Sequence, residues 1–508
     1  MVVLKKHGKA GKELHAPFPY QHEAFQTLRN LEYGAVFHEQ GLGKTKIGID
    51  LALCWLAEDI VDSVIFVTKK SLVMNWQREI LFHTNLKPRI LGANRNQNRD
   101  IFNKPIRFYI AHYECIKSEK ERIKMFSKTR ALGVVLDEAQ KIKNPESTLF
   151  KAFEEISTAF VRRFVLTGTP IANRPYDIWA PIYFLDQGKS LGNDFESFKN
   201  GYDIPRIKID GEQESGQPQA PNQSAEDVEF KYANRLSTIF DRIGEFAVRE
   251  TKDSSGLILP KKNFHKQICT WEDKQSELYQ SYLEEARASL YKDGNWLEDN
   301  AGAILKKLLR LVQVASNPKI IDESYVAIPG KFDELYRLIS SNKSKGEKTL
   351  VWSSFTNNVD WLQIKLKEFG AAKIHGKMDM ITRDRSVDKI LNSDDCFVLV
   401  ATPGSAKEGL TLTSANHVIF YDRSFSLDDY LQAQDRIHRI SQKRICHITT
   451  LILPGSIDEW VDDLLIAKEL SAKLGLGDID QDKFLESIDF SFYAKLKSFL
   501  FGKGADDG

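Results

Sequence analysis

Three separated groups of residues in this 508-residue chain have the types and spacing of phosphate chemistry. The first is His38-Glu-Gln-Gly-Leu-Gly-Lys-Thr45, preceded by the apolar run Gly34–Phe37 and followed by a helical pattern with Ile47, Leu51, Trp55 and Leu56 on one face. A strand, a glycine-containing loop and a helix start form a phosphate cradle. Gly41, Leu42 and Gly43 offer backbone N–H groups at the positive end of the helix dipole. Lys44 is placed to reach the β- and γ-phosphates of ATP, and the Thr45 hydroxyl to ligate Mg²⁺. The second group is Asp137-Glu138, two carboxylates at the end of the apolar run Val134-Val135-Leu136. Asp137 suits Mg²⁺ and Glu138 suits orienting or deprotonating the attacking water. The third is Gln432, Arg436 and Arg439. Their spacing of four and three predicts one helix face, and two guanidinium groups delivered together could neutralise charge on a γ-phosphate. An exposed, salt-bridged helix would give the same spacing.

Something must hold these groups. Apolar runs at Val64–Thr68, Ile106–Ala111, Gly133–Asp137 and Arg163–Thr167 alternate with helical stretches, for example Leu72–Phe82 and Thr148–Phe160. Continuous rather than alternating apolar character predicts strands covered on both faces, as in a parallel sheet whose ligands bind at the strands' carboxyl ends. Leu166-Thr167-Gly168-Thr169-Pro170 ends one such strand with hydroxyls suited to sensing nucleotide state. A second strand–helix series follows at Thr349–Ser353, Lys373–His375, Phe397–Ala401, His417–Tyr421 and Ile445–Thr449. It has no phosphate loop, so nucleotide is expected in a cleft shared with the first. Between the series, from Asp186 to about Pro318, alternation stops and helical patterns take over, at Phe230–Ala247, Trp271–Leu290 and Ile304–Leu311. Gly211–Glu226, rich in Gln, Pro and Gly, reads as a disordered loop. Ser456-Ile-Asp-Glu459 has the form of a capping box opening a further helix.

Bulk properties bound the reading without deciding it. Charged residues make up 28% and hydrophobic residues 42%, as in an ordinary globular protein, and the net charge of +1 announces no global basic field. No run approaches the ~18 apolar residues of a membrane span, and Lys5, Lys6, Lys9 and Lys12 mark a basic arm without a secretory apolar core. Five scattered cysteines fit buried thiols in a reducing compartment, not zinc ligands.

Taken in order, Tyr20-Gln21, His38–Thr45, Val67–Trp76 with its Lys-Ser-Leu-x-x-Asn-Trp core, His112-Tyr113-Glu114, Asp137–Asn144 and Leu166–Asn173 give the chain a clear likeness. It resembles the SWI/SNF-related (Snf-type) DNA-dependent ATPases of helicase superfamily 2, in a compact prokaryotic or viral form, through to about residue 475. The resemblance implies an α/β fold of two RecA-like parallel-sheet lobes with helical insertions and a C-terminal brace helix. The parts would be a basic arm (1–16), a first lobe (17–185), helical protrusions and linker (186–330), a second lobe (331–455), and brace helix with tail (456–508). It implies ATP and Mg²⁺ as ligands, Gln21 reading the adenine edge where the residues alone suggest a packed helix start, and Gln432, Arg436 and Arg439 completing the ATP site. It also implies nucleic-acid contacts at Lys69, Lys70, Ser71, His112, Tyr113, Ser354, His375, Gly376, Thr402 and Lys407.

The expected activity is ATP-driven translocation on double-stranded or forked DNA, with a protein partner supplying the target. The compartment would be the cytoplasm of a prokaryotic or virus-infected cell, or the nucleus of a eukaryote. Alternatives are a strand-separating or annealing helicase, a motor subunit of a larger DNA-processing or defence complex, and an ATP-gated DNA clamp without turnover. The chain departs from the family pattern at His38, where aspartate is usual, at Gln140, often histidine, and at Lys407-Glu408 in place of paired glycines.

Overall fold

The computed structural model describes residues 13–202, 225–292, 295–296, 301–406, 412–488 and 499. The Lys-rich start, residues 211–224 of the expected disordered loop, and Lys407 with its neighbours to 411 lie outside the described residues.

The longest apolar runs do become buried parallel strands. The first sheet holds β1 (Tyr33–Val36), β2 (Ser63–Thr68), β3 (Arg89–Ile90), β4 (Phe108–His112), β5 (Leu132–Asp137), β6 (Arg162–Leu166) and β7 (Ala247–Val248), in the order β3-β4-β2-β5-β6-β1-β7. Every pairing in it is parallel. All six positions of β2 and of β5 are buried, so both faces of the sheet are covered. Trp55, Phe66, Trp76 and Phe164 lie in its main apolar cluster. Because the strands run the same way, the carboxyl ends of β1, β2, β5 and β6 emerge at one edge. They deliver the phosphate loop, Lys69, Asp137-Glu138 and Thr167 there.

The second sheet holds β8 (Lys262–Ile268), then, after the short hairpin of β9 (Tyr291–Lys292) and β10 (Asn295–Trp296), β11 (Lys348–Trp352), β12 (Ala372–Ile374), β13 (Val398–Ala401), β14 (Ala415–Phe420) and β15 (Cys446–Ile452). Its order is β12-β13-β11-β14-β15-β8, again all parallel, around a core that includes Leu350, Trp352, Phe420 and Ile437.

The main elements among the described residues of 186–330 are the helices Ala225–Ile243, Asp273–Leu290 and Ala301–Ser316. The expectation that strands stop there is corrected at three places: β7 extends the first sheet, β8 the second, and β9 and β10 form a small antiparallel pair of their own. β7 is two residues long, and β8 is an edge strand whose side chains are largely exposed. Neither therefore carries the apolar signature of a buried strand.

The chain separates into two compact units. Among the described residues, the first comprises those up to 202, Glu226–Leu257 and Ser471–Glu486, and the second comprises Ala225, Ile258–Leu470, Ser487, Ile488 and Phe499. The first is an α/β RecA-like lobe built on the seven-stranded sheet, and the second is one built on the six-stranded sheet.

Candidate nucleotide site

The loop after β1 needs backbone that only glycine adopts cheaply: Gly41 has φ 90° and Gly43, at the cap of the helix Lys44–Ala57, has φ 70°. Lys44 is buried, and its Nζ donates to the carbonyls of His38 (2.9 Å) and Glu39 (3.1 Å). Burial pulls its pKa down to about 8, against the opposing pull of Glu138 and Asp137. An ammonium held dry on two neutral carbonyls is poised to exchange them for an anion. Thr45 is half-buried in the first helical turn. Gln21 is tied to the loop: its Oε1 accepts from Phe18 N (2.9 Å) and its Nε2 donates to Leu42 O (3.1 Å).

Asp137 ends β5 with its carboxylate fixed. Oδ2 accepts from Trp76 Nε1 at 2.7 Å and from Thr68 Oγ1 at 3.1 Å. Burial, then the neighbouring Glu138, pushes its pKa up to about 6. Glu138 takes a left-handed backbone (φ 54°, ψ 50°), a strained conformation for a residue with a side chain. Its Oε2 accepts from the Gln140 amide and lies 3.7 Å from Lys69 Nζ. Gln140 Oε1 in turn accepts from Thr167 Oγ1 (2.8 Å), and Thr167 Oγ1 accepts from Thr169 N (3.1 Å). The carboxylate suited to orienting water is thus wired to the Thr167–Thr169 turn through the residue where the family pattern often has histidine.

This arrangement fits Mg²⁺. Mg²⁺ usually takes one or two protein oxygens and completes its shell with phosphate and water. Asp137 and Glu138 are neighbouring buried carboxylates, and the raised pKa of Asp137 marks a cost that a bound cation would relieve. Thr45 and Asp137 are the residues that would hold it. Among the described residues no cluster of three or more His, Cys, Asp or Glu forms a self-sufficient metal site, and all five cysteines are buried and outside any disulfide.

The other candidate residues are placed as follows. The helix carrying Gln432 runs Leu427–Gln434, so Arg436 and Arg439 sit in the turn beyond it, and the expected single helix face is corrected. Tertiary contacts end the helix: Asp435, the C-cap, holds Lys262 at 2.8 Å, and the carbonyl of Arg436 accepts from Leu412 N at 3.0 Å. Gln432 and Arg436 are buried; Gln432 Nε2 donates to Asp428 (2.6 Å), and Arg439 Nε donates to Asp435 O (3.2 Å).

Among the nucleic-acid candidates, Lys70 and Gly376 are exposed and Ser71 is half-buried. His112 Nδ1 caps the next helix by accepting from Cys115 N (3.2 Å). Tyr113 is buried and its hydroxyl donates to Asp137 O (2.8 Å), so it positions the carboxylate loop. Ser354 N donates to Asp422 (2.6 Å), His375 Nε2 lies 3.0 Å from Asp360, and Thr402 Oγ1 lies 2.6 Å from Ser405 Oγ.

Sequence reasoning left Thr68, Trp76 and Arg249 without roles. Trp76 lay inside a recognised motif, where a donor-only indole spaced from a strand end was the available signal. Arg249 had none, lying just past the helical pattern Phe230–Ala247 in a stretch given no element.

Two all-parallel RecA-like lobes, one carrying a lysine-bearing phosphate loop opposite an Asp-Glu strand end, define a helicase-type ATPase. The chain belongs to the SNF2-related family: it matches the SNF2-related domain over residues 20–320 and the helicase conserved C-terminal domain over 330–441. It is similar to the ISWI chromatin-remodeling complex ATPase ISW1 of Saccharomyces cerevisiae, 26% identical over 470 residues that cover 87% of this chain and 39% of that protein. An uncharacterized ATP-dependent helicase of Mycoplasma pneumoniae is 26% identical over 488 residues, 92% of this chain and 43% of that protein. Among solved structures, the Sulfolobus solfataricus SWI2/SNF2 ATPase core in complex with dsDNA aligns over 94% of this chain and 98% of its own, with 24% identity and a TM-score of 0.42. The chain spans about two fifths of the length of these curated relatives.

Proposed function

We propose that this chain hydrolyses ATP to ADP and phosphate and couples the cycle to movement along double-stranded DNA. The observation that carries the reading is the buried triad at one sheet edge: Lys44 on loop carbonyls, Asp137 locked by Thr68 and Trp76, and Glu138 beside them in a strained backbone. Lys44 would leave the His38 and Glu39 carbonyls for the β- and γ-phosphates, while the loop amides around Gly41, Leu42 and Gly43 cradle them. Gln21, anchored on Leu42, would read the adenine edge. Mg²⁺, held by Thr45 and Asp137, would neutralise phosphate charge. Glu138 would orient the attacking water, and its link through Gln140 to Thr167 would report the state of the nucleotide to the neighbouring turn. Gln432, Arg436 and Arg439 are proposed to complete the site, the two guanidinium groups supplying positive charge to the transferring phosphoryl group, an effect worth roughly 10³–10⁵ in rate where such arginines have been studied.

DNA as the track is supported by relatives named as a chromatin-remodeling complex ATPase, a DNA excision repair protein and a DNA repair and recombination protein. Lys69, Lys70, Ser71, His112, Ser354, His375, Gly376, Thr402 and Lys407 are the proposed contacts; Tyr113, expected among them, is buried with its hydroxyl on Asp137 O and is withdrawn. Gripping the phosphate backbone gives little base specificity and an affinity that falls steeply with salt. Among the described residues no helix is long and apolar enough to cross a membrane.

The test is the ATPase rate with duplex DNA, single strands and RNA across a salt series. Duplex DNA should stimulate most, and stimulation should fade as salt rises. Lys44→Ala should abolish hydrolysis, and Glu138→Gln should bind ATP without cleaving it. Rapid turnover by Glu138→Gln would remove Glu138 from its role, and a rate indifferent to DNA would leave the clamp reading in place of the motor.

A further inference from the structure

The stem of the phosphate loop is held from outside its own strand–loop–helix unit. Parallel pairing with β7 continues past the strand as a ladder: Ala35 N donates to Phe246 O (2.8 Å), Phe37 N to Val248 O (2.8 Å) and Glu39 N to Glu250 O (2.9 Å). Glu39 is also held through its carboxylate, which accepts from Lys252 N at 2.8 Å. Its carbonyl is one of the two on which Lys44 rests. Arg249 sits in the middle of this ladder and points its guanidinium back at the loop. Nη1 donates to Phe37 O, and Nη2 lies 3.9 Å from Glu39 Oε1.

The other side of the same guanidinium is taken by a residue more than two hundred positions later. Arg249 Nε donates to Asp478 Oδ1 (3.0 Å) and Nη2 to Asp478 Oδ2 (2.7 Å), a bidentate pair with both side chains nearly buried. Asp478 is itself placed: the helix Ile457–Gly475 stops at a left-handed Gly477, and Asp478 N donates to Lys473 O (2.8 Å). A planar fork that must serve a carboxylate and a carbonyl at once has its orientation fixed only when both are present.

We infer that Arg249 is a positioning residue of the nucleotide site, through which Asp478 and the segment Ser471–Glu486 set the phosphate loop. The inference rests on the reading of His38–Thr45 as that loop. The segment follows the second lobe in the chain yet belongs to the first unit. Seating Asp478 on Arg249 holds the Phe37 carbonyl and Glu39, and with them the carbonyls that present Lys44. Withdrawing Asp478 leaves a nearly buried guanidinium near Lys44 with only the more distant Glu39 carboxylate to balance it, and frees the fork to turn away from Phe37. Docking of this C-terminal segment is therefore an input to nucleotide affinity.

The experiment compares the full chain with Asp478→Asn, Arg249→Gln and the double variant. Amide hydrogen exchange of residues 38–43 in the free protein and the Kd for MgADP are the readouts. Loss of one charge-assisted pair should speed exchange in that loop, and weaken MgADP, by roughly tenfold. Exchange in Ser63–Thr68 and Leu132–Asp137 should stay as in the wild type, which separates a positioning effect from general loosening. If Asp478 acts through Arg249, the double variant should match Arg249→Gln alone. Should Asp478→Asn fail to fold, Arg249→Lys retains the charge without the fork and should loosen the same loop. The inference is overturned if exchange and MgADP affinity stay within about twofold of wild type, or if the two substitutions add. Failure of the proposed turnover would look different: wild type would bind MgADP and leave ATP uncleaved, while loop exchange would still respond to Asp478→Asn.

Discussion

An indole nitrogen, with the Thr68 hydroxyl, fixes the Asp137 carboxylate proposed to hold Mg²⁺. Trp76 Nε1 can only donate, and it spends its proton on Asp137 Oδ2 inside the core, while its ring stacks on Phe66 with centroids 4.8 Å apart. Trp76→Phe keeps the stack and removes the donor. A hydrogen bond to a charged group contributes about 1.5–3 kcal/mol, so Asp137 should lose orientation, the rate should fall roughly tenfold or more, and more Mg²⁺ should be needed for half-maximal activity. Unchanged magnesium dependence would reduce Trp76 to packing. His38 offers a second residue-scale prediction. It is buried beside Lys44 and Arg249, and burial with those two charges, against a weaker opposing pull from the Val248 backbone, pushes its pKa down to about 3. The folded state keeps the ring neutral where the unfolded chain would protonate it below about 6.5. The unfolded state then binds more protons, so His38's contribution is complete above pH 6.5 and is lost as pH falls toward 3. The slope is at most ~1.4 kcal/mol per pH unit. Denaturation midpoints measured from pH 7 to 5 should drop less steeply for His38→Gln than for wild type, and equal slopes would show that the ring does not titrate against the fold.

At the scale of elements, the phosphate loop is a joint between two helices as well as a cradle. A Cβ on Gly43 would stand 2.3 Å from Gln21 Nε2, besides requiring a left-handed backbone. Gly43→Ala therefore meets two penalties: backbone strain of about 1–2 kcal/mol and displacement of the amide that ties Pro19–Leu28 to the loop. In a Gln21→Ala background only the strain remains, so thermal denaturation should show a smaller loss there; equal losses would mean the amide yields freely. This joint could be read in part from the sequence. Gly41, Gly43 and the apolar run before them are local signals, and so were the buried strands β2, β5 and β6, because full burial demands continuous apolar residues. Gln21's grip on Leu42 was not readable, since nothing local fixes where a side-chain amide points. The turn carrying Arg436 and Arg439 was misread for the same reason. Its spacing is helical, but Lys262 and Leu412, distant in sequence, end the helix at Gln434. Tertiary contacts outweigh local propensity there.

For the whole molecule, the order of the chain and the order of its units differ. The stretch 186–330 sends β7 to the first sheet and β8 to the second, and Ser471–Glu486 returns to the first unit after the second has been completed. No periodicity reports such a return, because Leu474, Leu476 and Phe484 would look the same in a helix packed anywhere. In the structure they are 1%, 5% and 0% exposed, Tyr232 and Phe484 form a tilted ring pair, and Gly475 lets Ile171 and Ile239 approach the helix. Burying three such side chains contributes about 1.5–3 kcal/mol each, which together rivals the 5–15 kcal/mol net stability of a typical domain. Ending the chain at Leu470 should therefore unfold or strongly destabilise the lobe built on β1–β7, while the lobe built on β8 and β11–β15 keeps its own transition. Differential scanning calorimetry, with hydrogen exchange assigning each transition, checks this. Phe484→Ala should move the same transition by about 3–5 kcal/mol without touching the other. A truncated chain whose first lobe melts as in the full protein would show that the returning segment rests on that lobe without stabilising it.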